Sequence, residues 1–414
     1  MIEQIKSSLN NPNQLEKLYR LNKADFKKSF NEIYSEIKDS TAAQVWNERL
    51  NYETEEISWG SKNELIIVII LSLIAGFIAK LPHYFGFTEE FFYQRNTAFV
   101  VFPLLTAYFA WKLNTPLNKI VTTTIVILIS VLFINLLPDN TQSDTLILST
   151  IHLPLFLWAV LGFTYLGTDA KNNNKRLDFL RYNGDLVVMT AIILLAGGLF
   201  TLLTIGLFKL IDINIGEFYF RNIAIWGLAA SPIVGTYLVQ TNPQIVNKVS
   251  PVIAKIFTPF VLITLVIYLI AVIHTGKDPY NDREFLLLFN MLLIGVMAII
   301  FFSIAESSKT NISRITTIML FALSGVTIIV NGIALSAIIF RIGEWGITPN
   351  RLAVLGSNIL ILSNLLLMSY WLFKTIKHKE LTEKVGNSIA FFLPYYSLWT
   401  LIVTFLFPLI FNFR

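Results

Sequence analysis

The sequence predicts an all-α fold: a polytopic transmembrane helical bundle of about eleven spans, N-in/C-out, preceded by a small N-terminal cytosolic helical domain. Three observations carry that reading. Hydrophobic residues make up 54% of the 414-residue chain and charged residues 14%, with a mean hydropathy of +0.62, more apolar than a soluble core requires. Apolar runs long enough to cross a hydrocarbon core of roughly 30 Å recur along the chain, separated by short polar breaks. The first 62 residues are instead polar and amphipathic.

Residues 1–62 form the prefix and residues 63–414 the membrane domain. In the prefix, Leu15, Leu18, Phe26, Phe30, Ile33, Tyr34 and Ile37 recur at three- and four-residue steps, which lines one helical face with apolar groups. Asn13 after Pro12 is a cap for the first helix, Asn22 or Ala24 begins the second, and Ser40 or Thr41 caps a third carrying Val45, Trp46 and Leu50. The prefix is too polar for a signal peptide, so the first span is expected to direct insertion.

The expected spans are Leu65–Leu81, Ala98–Leu113, Ile120–Leu137, Thr145–Gly167, Leu186–Phe208, Asn222–Gln240, Ile256–Ile273, Phe285–Ser303, Thr316–Phe340, Leu352–Phe373 and Ser388–Phe411. The second is short and the sixth holds Ser231 and Pro232 at its middle, so each is either re-entrant or spanning. With the N-terminus inside, the inner segments carry 23 Lys and Arg against 9 outside, the asymmetry that cytoplasmic loops show. Acids number 17 inside and 10 outside, so the inner face is basic and suits an anionic leaflet without nucleic acid. No internal repeat is visible.

The chain has no cysteine, which excludes disulfides and thiolate chemistry. It has no GxxxxGK[ST], no GxGxxG after a strand and no HExxH, so no cofactor, metal or catalytic residue is assigned. The acid pairs Glu89/Glu90 and Asp282/Glu284 read as solvated surface, and the chain reads as a non-enzyme. Ionisable groups are scarce within the spans: His152 lies near mid-membrane, with Lys80 and Glu306 at helix ends. A histidine beside Pro154 either shuttles protons or bonds a backbone carbonyl. The candidate intramembrane polar lining is His152 with Asn290, Asn331, Asn358 and Asn364. The amides serve either as interhelical bonds or as a neutral lining. Ser357 and Asn364 fall on one helical face. Gly332 with Ser336, and Ala196–Gly198, read as packing faces, and Pro154, Pro232, Pro259 and Pro394 as kinks.

The outer loops mix aromatics with charge, as in EFYFR (Glu217–Arg221) and DPYNDREF (Asp278–Phe285). The hairpin RIGEWGITPNRL (Arg341–Leu352) is the most specific of them. Gly343 or Gly346 ends one helix there, and Thr348 with Pro349 starts the next. Trp345 anchors at the interface, and Arg341 is close enough to Glu344 to pair. The candidate outer anion or headgroup site is Arg341, Glu344 and Arg351 with Asp282, Arg283 and Glu284.

Four stretches, Leu180–Phe208, Val252–Ile273, Asp282–Leu293 and Arg341–Leu362, together resemble an uncharacterised bacterial family of multi-pass membrane proteins, domain of unknown function four-one-five-three. Trp345 stands where tyrosine is expected in relatives. The resemblance implies an integral location in a bacterial cytoplasmic (inner) membrane, without a reaction, ligand or catalytic residue. Two functional classes follow. One is a transporter or lipid-handling protein for a weakly polar substrate, with a cavity lined by Asn331, Asn358 and Asn364. The other is a scaffold or sensor whose prefix binds a cytosolic protein partner, with those amides bonded between helices and no cavity. Both have membrane lipids as partners.

Overall fold

A computed structural model describes residues 2–9, 11–21, 23–51, 59–140, 142–275, 280, 283–307, 314–378 and 381–414. Every regular element among them is helical. The chain divides into two compact units, Met1–Ser58 and Trp59–Arg414.

The first unit comprises α1 (Ile2–Ser7), α2 (Pro12–Leu21), α3 (Lys23–Ile37) and α4 (Thr41–Asn51). Its core is Ile5, Leu15, Phe26, Phe30, Ile33, Trp46 and Leu50, all buried. These are mostly the periodic apolar positions of the sequence, brought together because each short helix has one apolar stripe to hide. Tyr19 packs edge-on against Phe26 and Trp46. Two local expectations change. Val45 is 61% exposed, since the turn that buries Trp46 points its neighbour outward. Asn11, not Asn13, caps α2, accepting from the Gln14 N–H at 3.2 Å. The Asn22 junction lies outside the described residues.

The second unit begins at Trp59, so Trp59–Lys62, grouped with the prefix in the sequence, belong to the bundle. Ser61 caps α5 (Lys62–Ala79), accepting from the Glu64 N–H. The unit continues through α6 (Leu81–Phe85), α7 (Glu89–Lys112), α8 (Leu117–Leu136), α9 (Asp144–Leu166), α10 (Asn173–Lys209) and α11 (Gly216–Tyr219). A π-helical turn, Phe220–Ala224, leads into α12 (Ile225–Thr241), followed by α13 (Pro243–Thr275), α14 (Arg283–Ser307), α15 (Arg314–Trp345), α16 (Pro349–Lys377) and α17 (Thr382–Leu401). A second π-helical turn, Ile402–Leu406, precedes α18 (Phe407–Ile410).

Among the described residues, eight helical stretches are long and apolar enough to cross a membrane: α5, α8, α9, α10, Gly216–Thr241, α15, α16 and Thr382–Ile410. A multi-span, all-α membrane bundle follows, because in lipid each backbone polar group must find its partner within its own helix. The other three expected runs are also helical. Two contain shorter apolar stretches, Ile256–Val272 and Phe289–Ala305. The third, α7, carries Arg95 and Asn96. The proline in α12 does not break it: Pro232 has no N–H for the Leu228 carbonyl, and the Ser231 hydroxyl donates there instead at 2.8 Å.

The largest core joins α14–α17 through Leu293, Ile300, Leu323, Val330, Leu365 and Ile389. α15 and α16 form an antiparallel hairpin, fastened by a Ser369–Ser324 hydroxyl bond of 2.8 Å. Two expected packing faces are corrected. On α15 the inward face is Val330, Asn331, Ala334 and Ala337, while Gly332 and Ser336 face outward. On α10, Ala196–Gly198 are exposed, with open space where a Cβ would stand on either glycine. Close approach occurs elsewhere. A Cβ on Gly76 would overlap the Trp226 indole, and one on Gly356 the Trp399 indole.

Candidate functional site

Three neighbouring cavities lie around α17. One of about 250 Å³ is bounded by His152 and Trp158 of α9, Ala298 of α14, Ser357 of α16, and Tyr396 and Trp399 of α17. A second, of about 340 Å³, lies between α9, α10 and α17, with Gly162, Phe163, Arg176 and Pro394 in its wall. The third, of about 300 Å³, lies between α8, α9 and α17, with Thr123, Phe156 and Leu401. Ser397 lines all three, so they form one lobed crevice along α9 and α17. Its walls are otherwise largely apolar, the usual character of a small-molecule site with few placed polar groups.

The polar groups of the first lobe are held by α16. Ser357 accepts from Trp399 Nε1 at 3.0 Å, and Asn364 Nδ2 donates to the Tyr396 hydroxyl at 3.2 Å. Both α16 residues therefore lie on the face expected from their spacing, turned toward α17. Gly356 leaves room for the indole that Ser357 holds. His152 Nδ1 lies 2.9 Å from the Leu148 carbonyl. A carbonyl only accepts, so the ring carries a proton on Nδ1, and in the neutral ring Nε2 is an acceptor. The bonded carbonyl is that of Leu148 and not that of Thr150, the one for which Pro154 has no N–H.

The other candidate lining residues do not meet the crevice. Asn331, Asn358 and Asn364 are fully or almost fully buried but line none of the three lobes. Among the described residues, Asn331 has no hydrogen-bond partner on either amide atom, nor does Asn358 on Nδ2 or Asn364 on Oδ1. Asn290 is half-buried on α14, also outside the lobes. None of the three lobes is the cavity expected on the amides.

At the α15–α16 hairpin, Gly346 in the left-handed region (φ 75°) ends α15, and Thr348 caps α16, accepting from the Arg351 N–H. Arg351 Nη1 donates to the carbonyls of Trp345 and Gly346 at 2.8 and 2.7 Å, a helix C-cap. Arg341 Nε donates to the Tyr280 carbonyl at 2.8 Å. Both guanidiniums also lie 5.4–5.6 Å from the Trp345 ring. Glu344 is exposed. Arg283 and Glu284 begin α14, and Asp282 lies outside the described residues. Arg351 thus closes the turn, while Arg341 ties the end of α15 to the backbone at Tyr280.

Several charged or crevice-lining residues escape the sequence reading. Arg176 falls near an expected loop and its bond to the Ala390 carbonyl spans 214 positions; Ser397 falls in an apolar run, bonds the Leu393 carbonyl and lines the lobes beside residues of α8 and α9. Arg181 and Asp185 are buried although the fifth span was expected to start at Leu186; Arg181 bonds Asp178 and the Ala305 carbonyl, each at 2.5 Å. Arg95 is buried and donates Nη1 to the Ile134 and Leu137 carbonyls at the end of α8. Glu64, buried, accepts from the Tyr108 hydroxyl at 2.6 Å and from Lys112 Nζ at 2.5 Å. The available signal was the charge itself, placed within three turns of an apolar run.

Comparison with protein-family models, curated proteins and solved structures gives no match.

Proposed function

We propose that this protein takes a weakly polar or lipid-like molecule into the α17 crevice and handles or transports it across the membrane. The carrying observation is the 250 Å³ lobe, where His152, the Ser357–Trp399 pair and Tyr396, whose hydroxyl is held from behind by Asn364, place few polar groups in an apolar wall. The role is non-catalytic. The topology we assign is eleven spans, N-in/C-out, supported by the excess of Lys and Arg on one side and by three further helices besides the eight long ones. The four stretches that resemble domain of unknown function four-one-five-three support membership in that family and a bacterial inner membrane.

The test is lipid and metabolite mass spectrometry on protein purified without delipidation, beside Ala298→Trp, which fills the lobe from an exposed position. A molecule retained by the wild type and reduced at least tenfold in the variant supports the reading. No retained molecule, or equal retention, overturns it.

A second reading is favoured by the first unit's own aromatic core: a scaffold or sensor that presents this unit to a cytosolic protein. Cross-linking in intact cells separates the two. Specific capture of one protein by the first unit, together with an empty crevice, selects the second.

A further inference from the structure

Arg176 is the one charged side chain among the residues lining the three lobes. Nε donates to the Ala170 carbonyl at 2.9 Å, and Nη1 to Asn173 Oδ1 and the Ala390 carbonyl at 3.4 and 3.1 Å. Nη2 has no protein partner among the described residues. Lys119 stands beside the same lobe. Its Nζ lies 4.4 Å from the ring centroid of Phe163, which lines two lobes, and it donates to the Gly167 carbonyl. Lys171 follows on the α9–α10 connection and Lys175 in the first turn of α10; the connection's one acid, Asp169, is paired with Lys175 at 2.5 Å. The mouth of the crevice is therefore cationic while its depth is apolar. Along α9 the lining runs from His152 to Leu166, about 21 Å of helix at 1.5 Å per residue. A leaflet's hydrocarbon half is about 15 Å thick. A crevice of that length, basic where α9 ends and apolar inward, matches a headgroup with its chain better than a compact solute.

We propose that the crevice binds one lipid with a net anionic headgroup, its phosphodiester against Arg176 and Lys119 and an acyl chain running past Ala159 and Ser397 toward His152. This rests on the lipid-like reading of the crevice. Charge complementarity selects the headgroup: a zwitterionic lipid brings a second, positive group to a rim that is already cationic.

The test is native mass spectrometry of the full, delipidated protein titrated with phosphatidylglycerol, phosphatidylcholine or inorganic phosphate. Phosphatidylglycerol is expected to bind about tenfold or more tightly than phosphatidylcholine. Arg176→Gln keeps an amide donor for the Ala390 carbonyl while removing the charge, and Lys119→Gln removes the second charge. Each is expected to cut the preference about fivefold, at roughly 1 kcal/mol per basic residue. If Arg176→Gln does not fold, Lys119→Gln and the loss of preference in 0.5 M salt carry the same test. Equal binding of the two lipids by the wild type, or a preference that survives charge removal and salt, overturns the headgroup assignment and leaves the crevice reading standing. Phosphate binding as tightly as the anionic lipid overturns it in favour of a rim anion site. Ser397→Trp, which blocks where the lobes meet, is expected to abolish binding of both lipids; undiminished binding overturns the crevice reading itself.

Discussion

Arg176 donates from Nη1 to the carbonyl oxygen of Ala390 at 3.1 Å, and Ala390 is the residue for whose carbonyl Pro394 has no N–H. The guanidinium of α10 thus repairs the break in α17 and fixes one wall of the crevice. Arg176→Met keeps the apolar stem but leaves that buried carbonyl without a donor, at a cost of about 1–3 kcal/mol. Pro394→Ala returns the intrahelical N–H, so the double variant is expected to recover most of the loss. A thermal double-mutant cycle in detergent reads the coupling; additive losses would show that the arginine acts elsewhere.

The Asn364–Tyr396 bond has the same asymmetry. Tyr396→Phe removes the acceptor of Nδ2 on an amide that is wholly buried and whose Oδ1 has no partner among the described residues, so about 1–3 kcal/mol is expected to be lost. Asn364→Leu with Tyr396→Phe removes both sides and is expected to approach wild-type stability. Midpoints of thermal unfolding followed by tryptophan fluorescence check the order. A double variant less stable than Tyr396→Phe would refute the pairing.

Gly356 sets the position of Trp399. A methyl group there overlaps the indole, which lines the 250 Å³ lobe and holds Ser357. Gly356→Ala is expected to cost about 1–3 kcal/mol through overpacking and to shift the Trp399 emission. Unchanged emission from a protein whose other tryptophans are replaced by Phe would show that the indole does not depend on this glycine.

The helices were legible because a chain in lipid has little choice: an apolar run of spanning length must satisfy its own backbone, and all eleven expected runs fall on helices. Ser357 and Asn364 were legible as one face for the same reason, since helical spacing alone puts them there. Their partners Trp399 and Tyr396 were not, because nothing local to α17 distinguishes them from anchoring aromatics. Arg351 looked like a headgroup ligand because sequence shows its charge and not the two carbonyls it caps. Arg176 sat among loop cations for the converse reason: its partner at Ala390 is 214 positions away. Gly332 and Ser336 have the spacing of a packing motif, but the i+4 step from Val330 to Ala334 and the i+3 steps from Asn331 to Ala334 and on to Ala337 take the inward face first.

In the first unit, Glu16 receives Arg20 Nε at 2.8 Å and Arg49 Nη1 at 2.7 Å, and the hydrogen bond from Arg20, followed by that from Arg49, holds its carboxyl below the ordinary value of 4.5. A depressed folded-state pKa contributes stability that is present above the unfolded-state value and lost as pH falls through the folded one. The Arg49 guanidinium also lies 4.6 Å from the Trp46 ring, so protonating Glu16 releases a cation that touches the core. A fluorine NMR signal from 5-fluorotryptophan at position 46 of the full chain is therefore expected to stay constant from pH 7 to 5 and to move only below pH 4.5. Glu16→Gln is expected to remove that step and to show its low-pH shift already at pH 7. A step that persists in Glu16→Gln would assign the transition to another carboxylate of the unit and remove Glu16 from the account of how Arg49 is held.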